Sequence, residues 1–204
     1  MVIKLEYDSY NSFEIAKCAC RDCAVGAVYG CVVPSEGCKK NPVVVIVGEA
    51  PGEEEVVQGR PFVGRAGEFL RHRLRRFNYT PDSTLITNTI PCRPENNNYP
   101  DDKKLVWECT QKWLWSELVM LQPKFVVVLG AKALWTVMML EGITKCRGSW
   151  YTPSNPALDS QCLATFHPSY VMRVQKTGSG DATLAKFEAD LHQVAVRAGF
   201  IKPS

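Results

Sequence analysis

The sequence lacks the features of several large classes of protein. No apolar stretch is long enough to span a membrane. The first twenty residues carry acids and polar side chains where an export signal needs an apolar core, so we expect a cytoplasmic, intracellular protein. Internal repeats, low-complexity tracts and linkers are also missing, which predicts a single domain over residues 1–204. The net charge of +3 is too small to indicate a polyanionic partner by itself.

A phosphate-binding loop is missing as well. The run GEAPGEEE, residues 48–55, has neither the Gly-Lys-Ser/Thr ending of a P-loop nor the spaced glycines of a dinucleotide fingerprint. Its three glutamates would also repel a phosphate. A glutamate beside a glycine turn at the end of a strand suits the positioning of a water molecule or of a neutral polar ligand.

Cysteine, in contrast, is abundant, with nine residues in the chain. In a reducing compartment such clusters bind metal more often than they form disulfides, and an odd number would leave one thiol unpaired in a disulfide framework. One CxxC pair and one wider pair could together hold a zinc ion or an iron–sulfur cluster: Cys20, Cys23, Cys92 and Cys109. Spacing alone does not choose between the two metals, and Cys18 is a rival ligand.

The other cysteines have no clear place in this pattern. Cys162 opens an apolar run, which predicts a small core residue rather than a ligand. Cys31, Cys38 and Cys146 are left without an assigned role.

Four apolar runs of strand length alternate with helical patterns. The predicted strands are residues 43–47, 85–90, 125–129 and 162–166, and the predicted helices are residues 66–77, 105–121, 131–140 and 181–198. Strands that alternate with helices predict an α/β fold with a mostly parallel four-stranded sheet. Ligands of such sheets bind beyond the carboxyl ends of the strands. Glu49 follows the first of these strands, the second ends around Asn88, and the fourth ends at His167. If the sheet is parallel, these three residues lie at one edge.

Three long motifs, in order, carry a resemblance to a known family. They are GEAPGEEEVVQGRPFVGRAG at residues 48–67, LITNTIPCRP at residues 85–94 and FHPSY at residues 166–170. With the order of the four cysteines in the two pairs, they resemble the family 4, iron–sulfur, thermostable-type uracil-DNA glycosylases. The resemblance covers nearly the whole chain. It implies a three-layer αβα fold around the central sheet and a monofunctional enzyme of base excision repair.

The resemblance also implies roles for individual residues. Glu49 would position or activate the attacking water, and His167 would stabilise negative charge on the leaving uracil. Phe62 would stack on the extruded base, and Asn88 would read its polar edge. The remaining implied residues are Ala50 and Gly52 in the uracil pocket, Ser169 and Arg173 on DNA, and Cys20, Cys23, Cys92 and Cys109 as ligands of a [4Fe-4S] cluster.

Physical chemistry agrees with these roles. A base inside a duplex must be extruded before an enzyme can reach its glycosidic bond. An aromatic ring offers a flat stacking surface, and an amide pairs with uracil but mismatches cytosine. A fixed hydrogen-bond donor at the leaving base stabilises the transition state more than the ground state.

Several alternatives stay open from the sequence. The chain could be an iron–sulfur or zinc DNA-binding protein of the same fold without glycosylase activity, or a zinc-stabilised enzyme acting on another nucleotide. Val56 stands where the family often has an acid, although Glu55 could substitute for it. The basic run at residues 71–76 is either a solvated helix face or a phosphate-binding surface. The polar segments 93–103 and 152–159 are predicted to be exposed loops.

The expected partner is uracil-containing DNA, bound by a monomer. A sliding clamp is a further candidate partner, for which the chain shows no clear docking motif.

Overall fold

The computed structural model describes residues 7–29, 32–176 and 180–203, so Cys31 lies outside the described residues. One six-stranded sheet forms the centre, in the order β1-β3-β2-β4-β6-β5. The strands are β1 (Glu36–Gly37), β2 (Val44–Gly48), β3 (Thr84–Asn88), β4 (Phe125–Leu129), β5 (Trp150–Tyr151) and β6 (Gln161–Thr165). Within these residues, no helix is both long and apolar enough to cross a membrane.

Two helices precede the sheet in sequence, and the other helices lie between or after its strands. The helices are α1 (Tyr10–Cys18), α2 (Ala24–Tyr29), α3 (Glu53–Gln58), α4 (Arg65–Arg76), α5 (Lys103–Thr110), α6 (Ser116–Leu121), α7 (Gly130–Met138), α8 (Ile143–Cys146), α9 (Pro168–Val174) and α10 (Gly180–Arg197). A π-helical turn, Gln111–Trp115, joins α5 to α6, and a short 3₁₀ turn spans Glu95–Asn97. The helix predicted over residues 105–121 is therefore continuous but not α-helical throughout.

The predicted parallel sheet is confirmed at the four inner strands. β3, β2, β4 and β6 pair in parallel, and nearly all of their residues are buried, as continuous apolar runs predict. The two outer strands, β1 and β5, pair antiparallel to their neighbours and have only two residues each. They were not predicted, because two residues are too few to show any hydrophobic periodicity.

Helices cover both faces of the sheet, which confirms the three-layer αβα architecture. Val44 and Ile46 of β2 point to the face covered by α4, α9 and α10. Val45 and Val47 point to the opposite face, covered by the π turn, α6 and α7. The alternation within one strand thus supplies both cores. Cys162, on β6, is fully buried in the second core, as predicted.

A buried ion pair connects the N-terminal helix to the sheet. The carboxylate of Glu117, on α6, is completely buried and accepts hydrogen bonds from Tyr10 Oη at 2.6 Å and Lys17 Nζ at 2.9 Å. Ser35 Oγ and Thr87 Oγ1 donate to it at 2.9 and 3.2 Å. Thr87 precedes Asn88 at the end of β3, so this network reaches the edge of the sheet where the predicted site lies.

Candidate functional site

A pocket of about 690 Å³ opens at the carboxyl ends of the parallel strands. It lies where β2, β3, β4 and β6 deliver Glu49, Asn88, Gly130 and His167, which is the position that a doubly wound sheet favours for ligands. The structure brings the predicted pocket residues together: Glu49, Ala50, Gly52, Phe62, Asn88, His167, Ser169 and Arg173 all line it.

The carboxylate of Glu49 faces the start of helix α7. Burial raises the pKa of Glu49, while a hydrogen bond from the backbone N–H of Lys132 and the charges of Lys132 and Arg173 act in the opposite direction. Gly130 makes this approach possible, because its φ of +92° favours glycine and a Cβ there would lie 2.6 Å from Glu49 Oε1. A partly buried carboxylate with an elevated pKa is typical of a general base.

His167 is held as a neutral imidazole with a defined tautomer. It caps the N-terminus of α9, where the backbone N–H of Ser169 donates to Nδ1 at 3.3 Å and Ser169 Oγ lies 2.8 Å from the same nitrogen. Burial and, to a smaller extent, the charge of Arg173 lower the pKa of His167 to about 4. Because Nδ1 accepts the amide hydrogen, the proton of the neutral ring resides on Nε2. The ring can therefore donate one hydrogen bond from Nε2.

The Phe62 ring and the Asn88 amide both lie against Gly48. A Cβ on Gly48 would lie 2.4 Å from both Asn88 Oδ1 and Phe62 Cζ, so no other residue fits between the amide and the ring. Asn88 is 7% exposed, and its buried Oδ1 has no hydrogen-bond partner within the described part of the chain. A buried amide oxygen without a partner is costly and indicates a missing ligand group. The Phe62 ring lies 6.2 Å from that of His167, between centroids.

Glu55 organises the loops on either side of Phe62. Its carboxylate accepts the backbone N–H of Gly52 at 3.0 Å, of Val63 at 2.9 Å and of Gly64 at 2.8 Å. A carboxylate can bind this many donors, and charge-assisted bonds of this kind are the strong ones. The sequence left the role of a second carboxylate in doubt. Glu55 supplies that carboxylate, and it connects the loop segments before and after Phe62 by hydrogen bonds.

One side of the pocket comes from a segment that was predicted to be an exposed loop. Within residues 93–103, Pro94, Asn97 and Tyr99 line the pocket, and Tyr99 is only partly exposed. Tyr99 Oη lies 2.7 Å from Thr89 Oγ1, which donates to the Glu49 carbonyl at 2.6 Å. The single aromatic residue in an otherwise polar stretch was the signal that could have identified this contribution.

The basic run on α4 is mostly engaged in ion pairs within the protein. Arg71 pairs with Glu36 on β1, while Arg73 and Arg76 pair with Glu188 on α10. Three of these arginines are therefore committed to internal partners, which favours the solvated, structural interpretation of the run. Arg173, in contrast, is exposed at the mouth of the pocket. Tyr170 stands beside it with 40% of its surface exposed.

Four cysteines of the two predicted pairs share one region. Burial, together with the charges of Cys92, Cys23 and Cys20, raises the pKa of the Cys109 thiol to about 12. The ion pair between Asp22 and Lys112 holds the CxxC loop against the helix that carries Cys109. Within the described ranges, no three metal-ligating side chains are already spaced to hold an ion.

The donor set itself fits a metal centre. Four cysteines in one region, of which Cys92 is buried and the other three are partly buried, supply the thiolate ligands that zinc and iron–sulfur clusters take. Cys18 is exposed, and the charges that act on it come from Glu14, Lys17 and Lys39, not from the other cysteines. The geometry therefore favours Cys20 and Cys23 over Cys18 as partners of Cys109.

Comparisons with known proteins agree with this geometry. A family model described as the Uracil DNA glycosylase superfamily matches residues 34–192. The chain is 38% identical over 134 residues to a type-4 uracil-DNA glycosylase from Thermotoga maritima, covering 64% of this chain and 66% of that protein. It is 35% identical over 159 residues to the type-4 enzyme of Pyrobaculum aerophilum, covering 76% of this chain and 80% of that protein. For the type-4 enzyme of Sulfurisphaera tokodaii the identity is 31% over 168 residues, covering 79% of this chain and 75% of that protein.

The family model spans all six strands and all three motifs. The family model covers more than half of the chain, and two of these relatives exceed 30% identity over three quarters or more of their own length. The resemblance that the motifs suggested is therefore confirmed: the chain belongs to the uracil-DNA glycosylase superfamily and, within it, to the type-4 uracil-DNA glycosylases.

Proposed function

We propose that this protein is a monofunctional uracil-DNA glycosylase. It hydrolyses the N-glycosidic bond of deoxyuridine in DNA, releases uracil and leaves an abasic site. The observation that carries this proposal is the unpartnered Asn88 Oδ1, buried beside the Phe62 ring in a pocket that also contains Glu49 and His167. An amide and a ring in contact are what an extruded pyrimidine needs for pairing and stacking.

In this proposal the pocket residues divide the reaction between them. The Phe62 ring supports one face of the base, and the Asn88 amide pairs with its polar edge. Departure of uracil leaves negative charge on the base, which the Nε2–H of neutral His167 stabilises from a fixed position. The Glu49 carboxylate orients and deprotonates the water that attacks the sugar carbon. Ala50 and Gly52 bring backbone close to the base, since neither has a bulky side chain.

The DNA backbone would lie across the mouth of the pocket. Ser169 and Arg173 are placed at that mouth, beside Tyr170. Arg173 contacts a phosphate in this proposal, and its charge also lies within reach of Glu49 and His167. Replacing Arg173 with alanine should lower DNA affinity and reduce the dependence of log K on log salt by about one. An unchanged salt dependence would remove Arg173 from the phosphate-binding set.

A single-turnover assay tests the function. Labelled oligonucleotides with one uracil, opposite guanine or unpaired, are incubated with the wild type, Glu49→Gln and Asn88→Ala. We expect alkali-sensitive cleavage at the uracil, slowed by roughly 10²–10⁴ in Glu49→Gln, the range typical of a lost general base. Glu53→Gln is the matched control, because Glu53 lies in the same acidic run but is 73% exposed on its side chain. Absence of abasic product from the wild type would leave a DNA-binding protein of this fold.

We further propose that Cys20, Cys23, Cys92 and Cys109 hold a [4Fe-4S] cluster. The cluster would supply a covalent tie between the N-terminal segment and α5, and no step of the hydrolysis passes through it. Cys92→Ser should lose bound iron and visible absorbance and should lower the unfolding temperature, whereas Cys18→Ser should retain all three. Full iron content in Cys92→Ser would contradict this ligand set, and zinc in place of iron would contradict the cluster. The ligands and the pocket would then belong to one domain spanning residues 1–204, acting as a monomer.

A further inference from the structure

The backbone at Phe62 is in an unfavourable conformation. Its φ is +53°, in the left-handed region that favours glycine, although the residue carries a bulky aromatic side chain. Conformations of this kind persist only where the surrounding structure enforces them, and they concentrate at ligand sites. The ring is 7% exposed and forms part of the pocket wall. Neighbouring groups must therefore hold Phe62 in place before any base arrives.

Arg71, on α4, holds the carbonyl side of this residue. Its Nε donates to the Phe62 carbonyl at 2.8 Å, and its Nη2 donates to the Pro61 carbonyl at 2.7 Å. Two consecutive carbonyls are thus bound by one planar guanidinium, whose fixed fork of donors a lysine cannot reproduce. Arg71 itself is not among the residues that line the pocket.

Glu36 fixes Arg71 in turn. Nη2 of Arg71 lies 2.6 Å from Glu36 Oε2, and Arg60 binds the other oxygen of Glu36 at 2.7 Å. Two arginines hold the pKa of Glu36 below its ordinary value, in opposition to burial, which raises it. Because Glu36 belongs to the edge strand β1, the guanidinium is anchored to the sheet and not only to its own helix.

The other side of Phe62 is held by different groups. Glu55 accepts the N–H groups of Val63 and Gly64, immediately after the ring-bearing residue. Gly67 brings the start of α4 into contact with the Phe62 backbone, since a Cβ there would lie 2.0 Å from the Phe62 carbonyl carbon. Arg71 thus binds the carbonyls of Pro61 and Phe62, while Glu55 binds the N–H groups that follow them.

We propose that Arg71 is a positioning residue for uracil recognition, which acts by binding the carbonyls of Pro61 and Phe62 and so keeps the Phe62 ring in the pocket. This inference rests on the proposed function, because it assumes that the ring stacks on the extruded base. It assigns an arginine of the basic α4 run to the preorganisation of the pocket and not to DNA phosphates. Preorganisation matters because a loosely held platform must be ordered at the expense of binding energy.

A double-mutant cycle tests this assignment. Single-turnover rates and uracil-DNA affinities are compared for the wild type, Arg71→Met, Phe62→Leu and the double variant. We expect Arg71→Met to lower the single-turnover rate at subsaturating enzyme concentration by roughly 5- to 150-fold, the range that corresponds to loss of one stacked base. In the Phe62→Leu background the same change should have less than about a twofold effect, because the residue acts through the ring. Equal fold effects in both backgrounds would overturn the proposal.

The salt dependence of DNA binding separates positioning from phosphate contact. Arg71→Met should leave the slope of log K against log salt unchanged, whereas loss of a phosphate contact reduces it by about one. Arg75→Met is the matched control, since Arg75 is exposed on the same helix. Arg71→Lys keeps the charge without the fork and should resemble Arg71→Met. If Arg71→Lys instead retained full activity, charge and not carbonyl binding would be responsible, and the proposal would be wrong.

A crystal structure of Arg71→Lys gives a readout that does not depend on activity. We expect Phe62 to leave the left-handed region, or its ring to leave the pocket, in the variant only. A wild-type protein that releases no uracil would refute the proposed function, while the conformation of Phe62 in the variant would still decide the role of Arg71. An unchanged Phe62 conformation would refute the positioning role even if the enzyme were fully active.

Discussion

Replacing Lys17 with methionine should destabilise the protein strongly. The substitution leaves the carboxylate of Glu117 fully buried without a countercharge, although Tyr10, Ser35 and Thr87 still donate to it. The lost charge-assisted bond is worth about 1.5–3 kcal/mol, and breaking a buried ion pair from one side costs about 3–5 kcal/mol in all. For a chain of this size that loss lowers the unfolding temperature by roughly 6–20 °C.

The pH dependence of this loss provides the sharper test. Burial raises the pKa of Glu117, but Lys17, Tyr10 and Ser35 together hold it below its ordinary value. In the wild type, the ionised carboxylate therefore contributes stability above its unfolded pKa of about 4.3, and this contribution is lost as the pH falls through the lower folded pKa. In Lys17→Met the folded pKa rises above the unfolded one. The variant then gains stability relative to the wild type as the pH falls, and the difference is largest near neutrality.

Urea denaturation of both proteins at several pH values measures this difference. Lys39→Met is the control, because Lys39 pairs with Glu14 at the surface, where the side chains are 42% and 22% exposed and such pairs contribute about 0–1 kcal/mol. Lys17→Met with Glu117→Gln should recover part of the loss, since no buried charge remains. A loss below about 1 kcal/mol in Lys17→Met, independent of pH, would refute the reasoning.

Three further predictions concern the pocket. The single-turnover rate should rise with pH through a pKa above the usual value for glutamate, because burial raises the pKa of Glu49. At higher pH the rate should stay level, because the pKa of His167 is already lowered to about 4. A decline of the rate between about pH 6 and 7 would mean that protonated His167 is required. Gly130→Ala should reduce both activity and stability, because the φ of +92° strains any other residue and the added Cβ would lie 2.6 Å from Glu49 Oε1 and 3.0 Å from His167 Cβ. Equal uracil release by variant and wild type would contradict this. Tyr99→Phe removes the hydroxyl contact with Thr89 and should lower the free energy of unfolding by about 0.5–1.5 kcal/mol. Thermal denaturation measures this loss, and an unchanged stability would contradict it.

Much of the fold was predictable because its inner strands are continuous apolar runs. Residues 125–129 were predicted to be a strand, and the structure has β4 at Phe125–Leu129. The other three inner strands begin and end within two residues of their predicted limits. Each edge strand contains only two residues, too few to show a hydrophobic pattern, whether they are Glu36–Gly37 or Trp150–Tyr151. Only their pairing with a distant strand defines them, and that pairing is not encoded in local periodicity.

The site was predictable where side chains follow strands and less so where they come from loops. Glu49 and His167 come after strands and Asn88 ends one, so the rule for parallel sheets brought them together. Tyr99 reaches the pocket from a polar loop that has no periodic pattern. Arg71 was one of several arginines in a run, and its role depends on Glu36, which lies 35 positions earlier in the chain. Contacts of that separation are set by the tertiary structure alone.

The π turn at Gln111–Trp115 sets the angle around the helix axis between Cys109, in the cysteine region, and Glu117, in the buried ion pair. Cys109 and Glu117 are eight positions apart, which in a regular α-helix at about 100° per residue would turn them roughly 80° away from each other. A π turn accommodates one additional residue, so the effective separation is about seven and the offset falls to roughly 20°. The thiol and the carboxylate can then both face the N-terminal segment. By the same arithmetic, deleting one residue inside this turn would leave regular α-helix with the offset still near roughly 20°, whereas inserting a residue would rotate the cysteine region and the buried ion pair by about 100° relative to each other. An insertion here should therefore be tolerated far less than a deletion.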